Sequence, residues 1–261
     1  MDPHNLLLLT AIGVTSFALS FYGAAIGLIL GHLRLPLLIY YLPSTTAGMA
    51  TNLAISGLGA LTGSVRHARE GRVSLRLLAL MGLPSIVGAV LGAFLLLRID
   101  SAWMRVAIGG FLLISGVNLI VSRKTEGAPV NPFQALRVLA EILIGLVIGF
   151  LAAVTGLMLG SVRLPMMIRL LKVDPRVAVG TNMAVGCLTA MAGACALWPG
   201  SQNFDLMTLV IVGPLTILGG YWGSRCTGKF RKESLQFLVG LTIVLTGVGM
   251  VAEGVWRTLL A

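Results

Sequence analysis

Apolar residues dominate the chain in long runs, which short polar segments separate. A helix needs roughly 20 mainly apolar residues to cross a bilayer, and eight runs approach or exceed that length. The predicted helices are 6–30, 44–64, 77–97, 106–122, 138–159, 177–198, 206–223 and 235–252. Most of them contain no charged residue, although the fifth contains Glu141. The pattern predicts an all-α membrane protein with about eight transmembrane helices.

One polar segment near the middle of the chain, residues 123–132, has the sequence RKTEGAPVNP. Its glycine, asparagine and two prolines are typical of a loop. We therefore take 123–137 as a linker between a first transmembrane repeat, 1–122, and a second, 138–261. The first residues, MDPHNLLLL, lack the basic segment of a cleaved signal peptide, so we expect the first apolar run to be retained as a helix.

The composition supports a membrane protein and changes how the net charge is interpreted. Of the residues, 57% are hydrophobic and only 11% are charged, whereas about a quarter are charged in soluble domains. A formal net charge of +10 would suggest a nucleic-acid partner in a soluble protein. Here most basic residues lie between the apolar runs, which indicates loops beside anionic lipid and predicts no nucleic-acid partner.

An internal repeat divides the chain into two related halves. Residues 27–39, GLILGHLRLPLLI, are matched 129 residues later by GLMLGSVRLPMMI at 156–168. Two further matches follow in the same order: Thr51-Asn52 with Thr181-Asn182, and Pro84, Gly88 and Gly92 with Pro214, Gly219 and Gly223. This order indicates a duplicated unit of about four helices. Such repeats are typical of secondary transporters, whose substrate site lies at the repeat interface on interrupted helices.

The first motif of each half predicts where the helices are interrupted. Proline lacks an amide donor and disfavours the helical conformation at the residue before it. We therefore expect breaks at Gly31–Pro36 and Gly160–Pro165. Bare backbone at the glycines that open these segments could face a ligand. Other glycines four residues apart predict close helix packing: Gly88/Gly92, Gly145/Gly149 and Gly219/Gly223.

The membrane orientation stays open at this stage. Summed over eight crossings, arginine and lysine divide almost evenly between the two sides. Either the halves are inverted relative to each other, or some arginines are functional and distort the count.

Arg34 and Arg163 are the first candidates for binding a substrate. An arginine beside apolar sequence is costly in a membrane and suggests a site. Its guanidinium is planar, stays charged and suits an oxyanion. The recurrence of the arginine in both halves favours two symmetric cations. The alternative is that each side chain reaches the lipid headgroups from the membrane interface.

Neutral polar residues form the second group of candidates. Thr51 and Asn52, like Thr181 and Asn182, lie early in predicted helices and could donate hydrogen bonds to an oxyanion. The alternative is that they cap or join helices. His32 lies in the first motif, where the second half has Ser161, and it is weak evidence for a proton-coupled step.

The residue types that are missing from the motifs limit the chemistry. Cys187, Cys195 and Cys226 form no CxxC motif, and the histidines are scattered, so we predict no metal, no cofactor and no enzymatic activity. No carboxylate lies in the middle of a helix at a repeat-matched position. A cation carrier would require an acidic centre. The balance favours an anionic substrate.

At these motifs the chain resembles the TauE/SafE family of sulfite exporters, also grouped as sulfonate permeases. Each half of that family opens with a glycine-rich segment leading to a proline, roughly GxGGGxxxxP, and continues to a Gly-Thr-like segment. The matching residues are Gly27, Gly31, Pro36 and Thr51 in the first half and Gly156, Gly160, Pro165 and Gly180-Thr181 in the second. The resemblance covers nearly the whole chain. The middle glycines of the pattern are replaced by Ile29 and Leu30, and by Met158 and Leu159.

The resemblance implies a secondary transporter that is a multi-pass protein of the cell inner (plasma) membrane. It also implies a sulfur oxyanion as substrate, either sulfite or an organosulfonate such as sulfoacetate. The residues alone indicate only a small anion, so a carboxylate or another oxyanion stays an alternative. A channel and a non-transporting scaffold are further alternatives. Coupling to a proton or another ion, the direction of transport and homo-oligomerisation stay open.

The site predicted from the sequence therefore combines three kinds of residue at the interface of the halves. Charge comes from Arg34 and Arg163, and neutral contacts come from Thr51, Asn52, Thr181, Asn182, Gly31, Gly160 and His32. Pro36 and Pro165 serve as hinge residues.

Overall fold

The computed structural model describes residues 3–26, 31–96, 98, 101–121, 134–198, 205–226 and 232–260. Within these ranges the chain forms helices and turns without a strand, which confirms the all-α prediction. The first five helices are α1 (Pro3–Ile26), α2 (Arg34–Tyr41), α3 (Thr45–Arg69), α4 (Leu75–Leu96) and α5 (Ser101–Val121). The next five are α6 (Gln134–Thr155), α7 (Gly160–Arg169), α8 (Pro175–Ala196), α9 (Leu206–Arg225) and α10 (Lys232–Leu260).

Five helices in the described part of the chain are long and apolar enough to cross a membrane. Their spans are Leu7–Ala24, Leu75–Leu96, Leu136–Thr155, Pro175–Ala196 and Leu206–Arg225. Shorter apolar stretches lie at Ile108–Val117 in α5 and Ile243–Trp256 in α10. The count of eight transmembrane helices therefore stays a prediction, as does the division of the chain into two repeats and a linker. Most of the predicted linker lies outside the described residues, and α6 begins within its last four residues.

The interruption in the second half lies earlier than the sequence predicts. We expected breaks at Gly31–Pro36 and Gly160–Pro165, but α7 begins at Gly160 and contains Pro165. The helical path instead stops at Thr155, where Gly156 has a φ of +65°, a conformation that suits glycine. In the first half, α2 contains Pro36 as its third residue. A helix tolerates proline in its first turn because amides there have no helical acceptor.

Residues 27–30, which include the end of the first predicted helix, lie outside the described residues. The turn that follows them spans residues 31–33 and leads directly into α2.

Helices of one half pack mainly against helices of the other. The most extensive pairs are α5 with α10, α1 with α9, α4 with α6, and α3 with α8. The repeat relates each helix of the first half to the one five places later. The contact between α1 and α9 is therefore equivalent to the contact between α6 and α4. The pairs α3 with α8 and α5 with α10 each join a helix to its own counterpart. These pairs are the ones expected of two interlocked halves related by a pseudo-two-fold axis.

The pair α3 and α8 lies at the centre of this arrangement. In α8, 67% of the most apolar window is buried, compared with 39–44% in the other four spans. Buried residues of α3 include Gly48, Ala50, Ala54, Gly57 and Ala60. Small residues let helices approach closely in a membrane. Because these two helices face protein rather than lipid, they can carry the polar Thr-Asn pairs.

Helix starts are capped at equivalent positions in the two halves. Ser44 accepts a hydrogen bond from Ala47 N at 3.1 Å at the start of α3, and Asp174 caps α8 in the same place. Ser74 and Asp205 likewise cap α4 and α9. Serine and aspartate are preferred at this position because their oxygens accept the free amide hydrogens of the first turn.

Glycines line the contact between α4 and α6. A Cβ added at Gly88 would lie 2.1 Å from the Leu146 carbonyl oxygen, and one added at Gly149 would lie 2.3 Å from the Ser85 carbonyl oxygen. Ser85 Oγ also donates to the Gly145 carbonyl across the contact at 2.7 Å. The pair α1–α9 is built in the same way, since a Cβ at Gly223 would lie 1.9 Å from the Phe21 carbonyl oxygen. Both contacts therefore require glycine, and Gly88 and Gly223 are among the glycines that the repeat matches between the halves.

One buried carboxylate joins α4 and α6. Glu141 is fully buried, and its Oε1 accepts hydrogen bonds from Arg76 Nη1 and Arg137 Nε, each at 3.2 Å. Arg76 Nη2 lies 3.1 Å from Glu141 Oε2. Both arginine side chains are partly exposed. The carboxylate is therefore part of the packing between the halves.

Replacing Glu141 by glutamine is expected to lower the thermal stability of the purified protein. Breaking a buried ion pair costs about 3–5 kcal/mol, and we expect about 1–3 kcal/mol here because the two arginines can turn towards water. The matched control is Glu70→Gln, which removes a carboxylate paired with Arg66 and Arg72 at the surface. The hydrogen bond from Arg66 lowers the pKa of Glu70, so its carboxylate is charged at neutral pH. Because an exposed ion pair contributes only about 0–1 kcal/mol to stability, we expect little change in this control. Equal melting temperatures for the two variants would contradict this assignment.

Candidate functional site

Each half brings its motif glycine against the asparagine of a central helix. A Cβ added at Gly31 would lie 2.6 Å from Ser56 Oγ and 3.6 Å from Asn52 Oδ1 on α3. A Cβ added at Gly160 would lie 3.0 Å from Asn182 Nδ2 on α8. Only glycine allows the backbone of each interrupted segment to come this close. The structure therefore brings together the two parts of the motif that the sequence placed about 20 residues apart in each half.

Arg34 lies at the start of α2 and is buried, with 2% of its surface exposed. Its Nε donates to Asn52 Oδ1 at 2.9 Å, and its Nη2 donates to the Asn52 carbonyl at 3.2 Å and to Ser56 Oγ at 2.7 Å. All three acceptors belong to α3 and are neutral. The guanidinium is therefore held in position without being neutralised.

Arg163 occupies the equivalent position in α7 and is also buried, with 1% of its surface exposed. Its Nε and Nη1 have no hydrogen-bond partner in the described part of the protein. A buried polar atom without a partner loses its hydration without compensation, and the loss is greater for a charged group. These two donors are the least satisfied cationic atoms near the motifs.

The two asparagines hold both ends of the interrupted segment of the second half. Asn52 Nδ2 donates to the Gly156 carbonyl at 2.7 Å, and Asn182 Nδ2 donates to the Gly160 carbonyl at 3.2 Å. The bond from Asn52 joins the first half to the second. The asparagines thus stabilise the position of residues 156–160, which are buried.

The two threonines contact the capped starts of the crossing helices. Thr51 Oγ1 accepts from the Asp205 amide at 3.4 Å, and Thr181 Oγ1 accepts from the Ser74 amide at 3.0 Å. Each bond joins one half to the other, and the repeat exchanges the two bonds. The threonines therefore join helices of the two halves. Because their hydroxyl oxygens accept in these bonds, the hydroxyl hydrogens stay available to donate elsewhere.

His32 lies in the turn before α2 with 1% of its surface exposed. Neither ring nitrogen has a hydrogen-bond partner among the residues that the structure describes. Its position is next to Gly31, and therefore close in the chain to Arg34. Pro36 and Pro165 lie inside α2 and α7, each two residues beyond its arginine.

One residue of the site was missed from the sequence: Ser56, which contacts Arg34 directly. Gly156, which belongs to the motif of the second half, provides the positive φ at which α6 ends. Ser56 is four residues after Asn52, one helical turn along the same face, so its position could have been noticed. Its counterpart in the second half is Gly186, which is buried and has no side chain to offer.

The charge of the site is positive. No carboxylate forms an ion pair with Arg34 or Arg163 among the contacts of the described residues. Within the same ranges, no group of three or more His, Cys, Asp or Glu residues could hold a metal ion. The described cysteines Cys187, Cys195 and Cys226 are free thiols. The arrangement can bind an anion by charge and hydrogen bonds.

Nearly the whole length of the chain matches known membrane transporters. Residues 12–250 match the family described as sulfite exporter TauE/SafE. The chain is 26% identical over 250 residues to the probable membrane transporter protein YdhB of Bacillus subtilis (strain 168), a match that covers 93% of this chain and 98% of that protein. It is 28% identical over 248 residues to the probable membrane transporter protein YjnA of the same organism, covering 88% and 96% of the two chains. No solved structure matches the chain.

Proposed function

The chain belongs to the TauE/SafE family of membrane transporters, and we propose that it carries a small sulfur oxyanion, sulfite or an organosulfonate such as sulfoacetate. It is a multi-pass membrane protein and not an enzyme. The substrate would bind at the interface of the two halves, where the interrupted segments meet α3 and α8.

A single observation supports an anionic substrate most strongly. Two buried arginines occupy repeat-equivalent positions, and no carboxylate pairs with either of them within the described ranges. A buried cation without a counter-ion is costly, because the attraction that would offset its lost hydration is missing. A bound anion would supply that attraction. A cation would meet two positive charges that no carboxylate of the described residues neutralises.

The shape of the donors favours an oxyanion over a simple halide. Guanidinium presents several N–H donors in a plane and matches the oxygens of a sulfonate or sulfite group. Charge-assisted hydrogen bonds of this kind strengthen in a site from which water is excluded. The threonine hydroxyl hydrogens are additional neutral donors that could complete the shell around a tetrahedral or pyramidal anion.

Transport would follow from movement of the two interlocked halves around this site. The interrupted segments are the parts of the chain that can change their backbone angles, and Gly156 already has a positive φ. Asn52 and the two threonines are bonded from one half to the other. Rocking of the halves would therefore have to break and remake these bonds while the anion stays between them.

A transporter or channel for a non-sulfur anion is the alternative to this substrate. Arginine binds a carboxylate as well as a sulfonate. The site by itself therefore favours oxyanions in general, and the narrower proposal of a sulfur oxyanion comes from the family. The two substrates differ in the number of oxygen atoms that they present, and a titration can separate them.

The substrate class is tested by thermal denaturation of the purified protein in detergent. The ligands are sulfite, sulfoacetate, taurine, sulfate and acetate at matched ionic strength. A ligand that binds only the folded protein stabilises it by mass action and so raises its melting temperature. At a free ligand concentration of 100 times Kd, the free energy of unfolding increases by about 2.7 kcal/mol. We expect a concentration-dependent rise with sulfite or sulfoacetate. A rise with acetate alone, or no rise with any of the five ligands, would contradict the proposed substrate.

A further inference from the structure

The two halves carry the same arginine and asparagine but hold them differently. In the first half, Arg34 Nε donates to Asn52 Oδ1 at 2.9 Å. In the second half, the equivalent atoms are Arg163 Nε and Asn182 Oδ1, and neither has a hydrogen-bond partner in the described part of the chain. The same bond is therefore made in one half and absent in the other.

A difference in sequence accounts for this asymmetry. Ser56 Oγ accepts from Arg34 Nη2 at 2.7 Å and fixes the guanidinium against α3. The repeat places Gly186 at the equivalent position of α8. Glycine offers no hydroxyl, so Arg163 lacks the contact that holds Arg34. The sequence therefore removes from the second half one of the contacts that hold Arg34 in the first.

We propose that the anion binds directly to Arg163 in the second half, and that Arg34 is a positioning residue that holds the interrupted segment of the first half against α3. This inference rests on the proposed function and refines it. Arg163 has two buried donors to offer, whereas Arg34 Nε and Nη2 are already bonded to neutral acceptors. An anion that bound Arg34 through Nε and Nη2 would have to displace three existing hydrogen bonds.

The residue at position 186 would then influence anion affinity without contacting the anion, because it acts through Arg163. A hydroxyl at this position would mimic Ser56 and hold the Arg163 guanidinium against α8. The anion would then compete with an internal acceptor for the same donors. The glycine at position 186 keeps Arg163 available.

The experiment measures binding of sulfite and sulfoacetate to the purified full chain by isothermal titration calorimetry. We expect Arg163→Gln to weaken the binding about 100-fold, because it removes the charge that contacts the anion. Arg34→Gln is expected to weaken it much less while lowering the melting temperature of the ligand-free protein more. Equal losses of affinity in the two variants, or a greater loss in Arg34→Gln, would overturn the proposal.

A second pair of variants keeps both arginines and separates the hydroxyl from added volume. Gly186→Ser is expected to weaken binding about tenfold relative to Gly186→Ala, since only serine offers an acceptor to Arg163. Equal affinities of the two variants would contradict the role of position 186. Absence of binding by the unaltered protein would contradict the proposed substrate class, whereas binding with symmetric losses would contradict only the assignment to Arg163.

Discussion

Replacing Gly149 by leucine is expected to prevent accumulation of folded protein. Already the first atom of a side chain at this position would lie 2.3 Å from the Ser85 carbonyl oxygen and 2.7 Å from its Cα. These are backbone atoms of α4, so no side-chain rotation can relieve the contact. The two helices would have to separate along their whole contact, which also breaks the hydrogen bond from Ser85 to Gly145.

A smaller change at the same position gives a measurable version of this prediction. Gly149→Ala is expected to destabilise the protein by about 1–3 kcal/mol, the usual cost of overpacking. The matched control is Gly110→Ala on α5, where an added Cβ meets no atom within 4 Å. Alanine is the better helix former by about 1 kcal/mol, so the control should be neutral or stabilising. The measurement is the melting temperature in detergent, and equal values for the two variants would contradict the packing of α4 against α6.

Replacing Asn52 by leucine is expected to have the largest effect on stability among the polar residues of the site. The change leaves Arg34 Nε and the Gly156 carbonyl without their partners, and both are buried. An unpaired neutral group costs about 1–3 kcal/mol and a charged group costs more, so we expect a loss of about 3–5 kcal/mol. Leucine has the same number of side-chain heavy atoms and the same branching as asparagine, and the control variant below adds the same volume.

Asn182→Leu is the matched control because the repeat places it at the same position of α8. Asn182 makes one hydrogen bond, to the Gly160 carbonyl at 3.2 Å, and its Oδ1 makes none to a described residue. Its replacement should therefore cost about 1–3 kcal/mol. Thermal denaturation of both variants measures the difference. A greater loss for Asn182→Leu than for Asn52→Leu would contradict the asymmetry between the halves.

The helices could be predicted from hydropathy because lipid requires apolar surfaces on every spanning segment. The central helix α3 shows the limit of that signal. It carries threonine, asparagine, serine and glycine on buried positions, since it contacts other helices instead of lipid. The apolar run 44–64 predicts this helix, but α3 is not among the five helices apolar enough to count as spans, whereas α8, its counterpart in the repeat, is.

The positions of the breaks could not be predicted from proline alone. Pro36 lies in the first turn of α2, where its missing amide hydrogen costs nothing, and Pro165 is accommodated inside α7. The break in the second half depends on Gly156, whose positive φ is a consequence of how residues 156–160 fit between α3 and α8. That fit is a tertiary property.

The repeat identified the residues of the candidate site but not the partners of their side chains. Thr51 and Thr181 recur in both halves because each bonds the start of a helix in the other half. A search for substrate donors could not distinguish this role from ligand binding. The repeat also suggested two equivalent arginines, and the exchange of Ser56 for Gly186 makes them different.

Flux of sulfite and sulfoacetate into proteoliposomes tests the central claim most directly. The purified protein is reconstituted beside protein-free liposomes and beside the Arg163→Gln variant, and uptake is measured over a range of concentrations. We predict saturable uptake of at least one of these anions by the unaltered protein, and uptake close to that of protein-free liposomes for Arg163→Gln. Uptake of neither anion above the protein-free level, or equal uptake by the two proteins, would contradict the account.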